Sequence, residues 1–148
     1  MKIVLDTNVL VPGLLTPFGP SGEIVRMVSA GRIILQYDAR IFLEYQEVLH
    51  WPKFQFNKED IDAFLTFVKQ NGQLIPTSPL KNRLPDSDDE AFLEVAIAGS
   101  AECLITGNKS DYPRKYRQGI KTLSPSEFLD FCRKYNKDTE HPHSQGRS

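Results

Sequence analysis

The opening of the chain constrains the fold more than any other stretch, because Ile3, Val4 and Leu5 form an unbroken apolar run that ends on Asp6. Such a run is typical of a strand buried on both faces of a parallel sheet. We therefore place Asp6 at the carboxyl end of a central strand, the edge at which open α/β sheets bind ligands. The spacing is equally compatible with a local role, in which Asp6 and Asn8 are turn formers that cap the next helix.

Composition places the chain among ordinary globular proteins. It has 148 residues, of which 40% are hydrophobic and 25% charged, which suits one domain with a real core. No apolar run approaches the roughly 20 residues of a membrane span. The start of the chain lacks the features of a signal peptide, so we expect a cytoplasmic protein with no membrane partner. Cys103 and Cys132 have no CxxC spacing and are predicted to be buried free thiols.

Strands alternate with helices along the chain, which predicts a three-layer α/β sandwich with a mostly parallel central sheet. The strands are expected near residues 3–5, 32–37, 74–75, 102–106 and 120–122. We expect a single domain over residues 1–136. No apolar periodicity follows Lys137, so residues 137–148 are predicted to be a disordered tail.

Local signals predict where the helices begin and break. The first helix is expected to break near Pro12 and Gly13, and Ser21 to cap the second. Further caps are expected at Asp38 and Asn57, and capping boxes at residues 87–90 and 124–127.

One predicted helix, at about residues 39–50, carries an acid beside its apolar stripe. At 100° per residue, Glu44 lies next to Ile41 and Val48, whereas Glu47 faces water. A carboxylate in that position is costly unless something pairs with it. We therefore expect Glu44 to be partly buried beside a cation.

A cluster of four acids opens a later helix, at Asp86, Asp88, Asp89 and Glu90. The capping box from Ser87 to Glu90 and the helix dipole account for one or two of these acids. Four acids in five residues repel one another, so the excess predicts a metal ion or another cationic partner.

A basic stretch follows the acids and includes Lys109, Arg114 and Lys115. It is either a solvated loop or a contact surface for the phosphates of RNA.

The strand over residues 102–106 also ends in polar residues, Thr106 and Asn108, with Asp111 close behind. Because parallel strand ends meet at one edge of a sheet, these residues can converge with Asp6. Carboxylates without histidine or thiolate form a hard oxygen site that selects Mg²⁺ or Mn²⁺ over Zn²⁺. Such ions can activate water and neutralise charge on a phosphodiester.

Four segments in this order resemble a PIN domain, and the similarity is closest to the toxins of bacterial toxin-antitoxin systems. They are residues 3–10, 43–49, 86–96 and 104–112. The resemblance extends to about Tyr135. It implies a PIN-like fold and a metal-dependent endoribonuclease that hydrolyses RNA. It also implies a co-expressed antitoxin that holds the enzyme inactive, and often a homodimer.

Carried over residue by residue, the resemblance implies that Asp6, Glu44 and Asp89 are the catalytic and metal-binding acids. Asp86 matches a frequent companion acid, and Asn8 matches a polar residue that supports the site.

The end of the last core strand departs from the family pattern. The family's fourth acid usually follows the threonine that corresponds to Thr106, and this chain has Asn108 in its place. Asn108 and Asp111 are therefore the alternative donors for a second metal. Because of this departure, an alternative interpretation stays open, in which the chain is a catalytically degenerate PIN-like domain that only binds RNA or a protein partner. A haloacid-type phosphatase is disfavoured, because it needs an acid where Asn8 stands.

Overall fold

The computed structural model describes the backbone of residues 1–146 and the side chains of residues 1–135. Within that part, five strands form one sheet in the order β3-β2-β1-β4-β5, and every neighbouring pair is parallel. The strands are β1 (Lys2–Leu5), β2 (Ile34–Tyr37), β3 (Gln73–Leu74), β4 (Cys103–Ile105) and β5 (Thr122–Leu123). The predicted α/β fold with a parallel central sheet is confirmed.

In the described part of the chain, six α-helices connect and flank the strands. They are α1 (Thr7–Leu15), α2 (Pro20–Ser29), α3 (Ala39–Leu49), α4 (Lys58–Asn71), α5 (Glu90–Ala98) and α6 (Pro125–Gly146). Four short 3₁₀ segments lie between them, at Pro52–Phe54, Ser87–Asp89, Lys109–Asp111 and Arg114–Tyr116. Among the described residues, no helix is long and apolar enough to cross a membrane.

The central strand is β1, which pairs with β2 on one side and β4 on the other. Ile3, Val4 and Leu5 are fully buried, as expected for a strand covered on both faces. Immediately after them, the Asp6 N–H donates to the carbonyl of Ile105 at 2.9 Å. This bond fixes the end of β1 beside the end of β4, so the residues that follow the two strands are neighbours.

Polar contacts made by two of its side chains hold α3 in place. The Tyr45 hydroxyl donates to the carbonyl of Leu5, which ties the middle of α3 to the end of β1. Arg40 forms ion pairs with Asp38 and with the buried Glu94 of α5, both at 2.7 Å. Helices α3 and α5, which carry or adjoin the candidate acids, are therefore fixed against the sheet and against each other.

Several predicted caps are present. The Asp38 side chain accepts from the Ile41 N–H at 3.0 Å, and that of Asn57 accepts from the Asp60 N–H at 3.1 Å. Ser124 and Glu127 exchange the two hydrogen bonds of a capping box. Cys103 and Cys132 are free and buried, as predicted.

The predicted break in the first helix and the predicted cap of the second helix were wrong. Helix α1 continues through Pro12; a proline removes one backbone donor, but the buried Val9 and Leu10 hold the helix against the core. Helix α2 is capped by Gly19 rather than Ser21, because Pro20 takes the first helical position, for which its fixed φ is suited.

The predicted capping box at residues 87–90 was also wrong. Asp86 caps the 3₁₀ turn Ser87–Asp89, and its side chain accepts from the Asp88 N–H at 2.9 Å. Glu90 is buried and accepts from the Leu84 N–H at 3.1 Å, so it anchors the preceding loop.

Helix α6 continues to Gly146 and so extends into the segment predicted to be a tail; residues 147 and 148 lie outside the described part. Apolar periodicity reports which residues pack against a core, and a helix can continue beyond its last packed residue. The division into a domain of residues 1–136 and a tail stays a prediction.

Burial in β4 predicts a clear stability difference between two leucines. Leu104 is fully buried, whereas Leu74 is 63% exposed. Leu104→Ala is expected to lower the free energy of unfolding by about 2 to 5 kcal/mol, and Leu74→Ala by less than about 0.5 kcal/mol. Urea denaturation of both variants checks this, and equal losses would contradict the assignment of β4 to the core.

Candidate active site

A cleft with a volume of about 630 Å³ opens at the carboxyl edge of the sheet. Asp6, Glu44 and Asp89 all line it, although they are separated by up to 83 residues along the chain. They arrive from the end of β1, the middle of α3 and the residue just before α5. The structure thus brings together the three acids that the sequence singled out. The same cleft is lined by Thr7, Asn8, Val11, Pro12, Glu47, Val48, Trp51 and Phe54.

Asp6 is the most strongly held of the three acids, with only 5% of its surface exposed. One carboxylate oxygen, Oδ2, accepts from the Tyr112 hydroxyl at 2.8 Å and from the Thr106 hydroxyl at 3.0 Å. The other, Oδ1, accepts from the Asn8 N–H at 3.3 Å and caps α1. Burial raises the pKa of Asp6 above its ordinary value, and the three hydrogen bonds partly offset that rise. The capping role and a site role are therefore compatible.

Glu44 is half-buried at the rim of the cleft, as its helical position predicted. The prediction that Glu44 lies beside a cation was wrong for the described side chains, among which Glu44 forms no ion pair. The Thr7 hydroxyl donates a hydrogen bond to Glu44 instead. A hydroxyl satisfies one lone pair of the carboxylate without neutralising its charge. Burial raises the pKa of Glu44, and Asp6 and Asp88 raise it further.

Asp89 lies at the junction between the 3₁₀ turn and α5, partly buried. Burial, followed by the charges of Asp111, Asp6 and Asp86, raises its pKa to about 7. Both loss of solvent and neighbouring negative charge therefore disfavour the ionised form of Asp89. Asp86 itself is exposed, and its charge contributes to the raised pKa of Asp89.

Thr106 links the ends of β1 and β4. Its hydroxyl donates to Asp6 and accepts from the Asn8 side-chain amide at 3.3 Å and from the Asn108 N–H at 3.1 Å. The Asn8 side chain also accepts from the Gly107 N–H at 2.9 Å. Asn8 and Thr106 therefore hold the floor of the site.

Asn108 and Asp111, the two alternative metal donors, lie beside this floor and bind each other. The Asn108 amide donates to Asp111 at 2.9 Å, and its oxygen accepts from Ser110 at 2.6 Å. Neither lines the cleft, but the charge of Asp111 contributes to the raised pKa values of Asp89 and Asp6.

The basic residues proposed to contact RNA lie outside the lining of the cleft. Lys109 pairs with Glu127 at 2.9 Å. Arg114 and Lys115 are exposed on a 3₁₀ turn, and Lys115 lies over the Tyr116 ring at 5.1 Å. The choice between a solvated loop and an RNA contact stays open for this stretch.

Sequence reasoning missed the groups that orient the acids. Thr7 directly follows the strand-end aspartate, and Tyr112 directly follows Asp111. Tyr112 is fully buried, and a hydroxyl there needs a partner, but its partner depends on the path of a loop. Trp51 and Phe54 were also missed as cleft residues, because they follow the end of α3 and helical periodicity does not place them.

The chemistry of the donor set fits a hard divalent cation. The cleft presents carboxylate, hydroxyl and amide oxygens. The charges of Asp111, Asp6 and Asp86 add to burial in raising the pKa of Asp89 to about 7, and a cation would relieve this repulsion. The three acids line one cleft, but in the part of the chain with described side chains no three or more His, Cys, Asp or Glu are already arranged to hold a metal ion. The fit is therefore one of donor chemistry and not of a formed set of ligands.

Comparison with known proteins adds two findings. A sequence model described as the PIN domain matches residues 2–110, more than half of the chain. The chain is also similar to the uncharacterized protein MJ1680 of Methanocaldococcus jannaschii, with 27% identity over 146 residues that cover 91% of this chain and 94% of that protein.

Clustered carboxylates predict that the metal-free protein loses stability as the pH rises. The pKa of Asp89 is about 7 in the folded protein against an ordinary 3.8, so between these values the folded state binds more protons than the unfolded state, and stability falls with rising pH. In EDTA, Asp89→Asn is expected to reduce this fall between about pH 4 and about pH 7. Melting temperatures check it, with the surface variant Asp130→Asn as the control; the same slope in Asp89→Asn and wild type would contradict it.

Proposed function

This chain belongs to the PIN domain family, whose members are generally nucleases, and we propose that it is a metal-dependent endoribonuclease that hydrolyses RNA phosphodiesters with Mg²⁺ or Mn²⁺. The catalytic acids in this proposal are Asp6, Glu44 and Asp89.

The observation that carries the proposal is the convergence of these three acids in one cleft at the carboxyl edge of a parallel sheet. Structural roles do not explain it. Asp6 caps α1, but Glu44 lies in the middle of a helix, and Asp89 makes no capping hydrogen bond. Burial raises the pKa of all three carboxylates, and the charge of Asp6 raises those of Glu44 and Asp89 further. Carboxylates in this state cost stability unless a cation joins them, so the arrangement favours a metal-binding function.

Each residue has a distinct task in this account. Asp6, Glu44 and Asp89 would hold the ion, and Asn108 or Asp111 would add a donor at the edge of the site. Tyr112 and Thr106 fix one oxygen of Asp6 with two hydrogen bonds, and Thr7 orients Glu44. The bound ion would supply an activated water and stabilise the charge that develops on the phosphodiester.

The biological setting that we propose is a toxin-antitoxin pair. The resemblance of the four sequence segments to PIN-domain toxins supports it, and it implies a cognate antitoxin and a homodimer. In this setting, expression of the chain alone is expected to arrest growth by cleaving cellular RNA.

A second candidate function is binding without catalysis, and one observation favours it. The residue in the place of the family's fourth acid is Asn108, and its side chain is committed to hydrogen bonds with Asp111 and Ser110. An uncharged donor that is already bonded contributes less to a metal site than a free carboxylate. A degenerate domain would then bind RNA or a protein partner without cleaving either.

Asp6→Asn tests the proposed catalysis. The amide keeps the shape and can still accept from Tyr112 and Thr106, so the fold should survive, and relief of repulsion should stabilise the metal-free protein. RNA cleavage with Mn²⁺ is expected to fall by orders of magnitude, because the charge that holds the ion is lost. Growth arrest on expression is expected to disappear with it.

Two further variants make the assay decisive. Glu47→Gln changes the same charge in the same cleft and should retain most of the activity. Asn108→Asp restores the acid and is expected to tighten metal binding or raise activity. Full cleavage by well-folded Asp6→Asn would overturn the mechanism, whereas a wild type that is inactive on every RNA but rescued by Asn108→Asp would favour the binding-only function.

A further inference from the structure

The cleft has an aromatic end as well as an acidic end. Trp51 and Phe54 both line it, and their ring planes lie within 10° of parallel with centroids 6.0 Å apart. Trp51 is 41% exposed, although burial of such a large ring would stabilise the fold. Flat exposed rings beside a nucleic-acid site are the surface on which unpaired bases stack.

The aromatic end is held in a fixed conformation. Pro52 restricts the preceding residue to an extended backbone, and Trp51 has φ −63° and ψ 128°. The Phe54 N–H donates to the Trp51 carbonyl at 3.2 Å, which closes the 3₁₀ turn between them. Phe56 packs against Phe54 at 5.8 Å. The rings therefore offer a preorganised surface, which lowers the entropic cost of binding.

The aromatic end also carries a positive charge, in contrast to the acidic end. The Lys53 ammonium lies 5.0 Å from the centroid of Trp51 and 5.1 Å from that of Phe54. A cation beside stacking rings is complementary to a base with its phosphate.

We propose that Trp51, Phe54 and Lys53 form a subsite that stacks one unpaired nucleobase of the substrate and pairs with its phosphate. The inference rests on the proposed nuclease function of the acids. Trp51 lies two residues after the end of α3 and lines the same cleft as Glu44. The stacked base therefore belongs to a nucleotide close to the scissile phosphate. Bases in a duplex have both faces covered and cannot use the subsite.

The chain contains its own reporter, because Trp51 is its single tryptophan. The probe is an eight-nucleotide 2′-O-methyl oligoadenylate in Mg²⁺, with its integrity checked on a gel. The single strand is expected to quench the tryptophan fluorescence saturably. The same strand annealed to its complement, and an abasic strand of equal length, should quench little, because neither offers a free base.

Variants then measure what the ring contributes, with binding followed by the anisotropy of a labelled strand. Trp51→Ala is expected to weaken binding roughly 5- to 150-fold, the equivalent of about 1 to 3 kcal/mol for one stacked base. Trp51→Phe should retain most of the affinity. Phe18→Ala is the matched control, since Phe18 is 84% exposed and does not line the cleft. Circular dichroism checks the fold of each.

The subsite is overturned if Trp51→Ala binds like wild type, if Trp51→Phe is as weak as Trp51→Ala, or if the abasic strand quenches as strongly as the complete one. A parallel cleavage assay separates this result from the nuclease proposal. Saturable quenching without cleavage of any RNA would support the subsite and contradict the nuclease. Cleavage that Trp51→Ala leaves unchanged would support the nuclease and contradict the subsite.

Discussion

The rest of the structure depends on the placement of one buried carboxylate, that of Asp6, at the end of the central strand. Its backbone N–H closes the junction between β1 and β4, and its side chain accepts from Asn8, Thr106 and Tyr112. A charge so deeply buried is tolerated only where hydrogen bonds or a cation compensate it. The hydrogen bonds compensate part of the cost, since the pKa of Asp6 remains raised. A bound ion would compensate the rest of the cost of burying the Asp6 charge.

Around this carboxylate the fold concentrates like charges that a purely structural design would separate. Glu44 and Asp89 face the same cleft, where burial raises the pKa of each and the charge of Asp6 raises both further. Proteins hold such repulsion mainly at functional sites, where the cost in stability serves chemistry. The aromatic end adjoins these acids without sharing their charge. In the proposed function, the cleft would bind the scissile phosphate at the acids and a base at Trp51.

Much of this arrangement could be predicted from the sequence, and the remainder depends on tertiary structure. The apolar run before Asp6 and the helical position of Glu44 are local patterns, and the topology of parallel sheets explains why Asp6 and Thr106 converge. The bond from Tyr112 to Asp6 depends on the path of a loop, which no periodicity encodes. Packing against the core also overrode the expected helix break at Pro12.

The central claim is that the three converging acids form a divalent metal site. A crystal structure grown with Mn²⁺ and analysed for anomalous scattering tests it most directly. The account predicts a peak in the cleft with carboxylate oxygens of Asp6 and at least one of Glu44 and Asp89 about 2.0 to 2.3 Å away, near the distances of small oxygen-bound divalent ions. No peak at saturating Mn²⁺, or a peak bound only by residues outside the cleft, would contradict it.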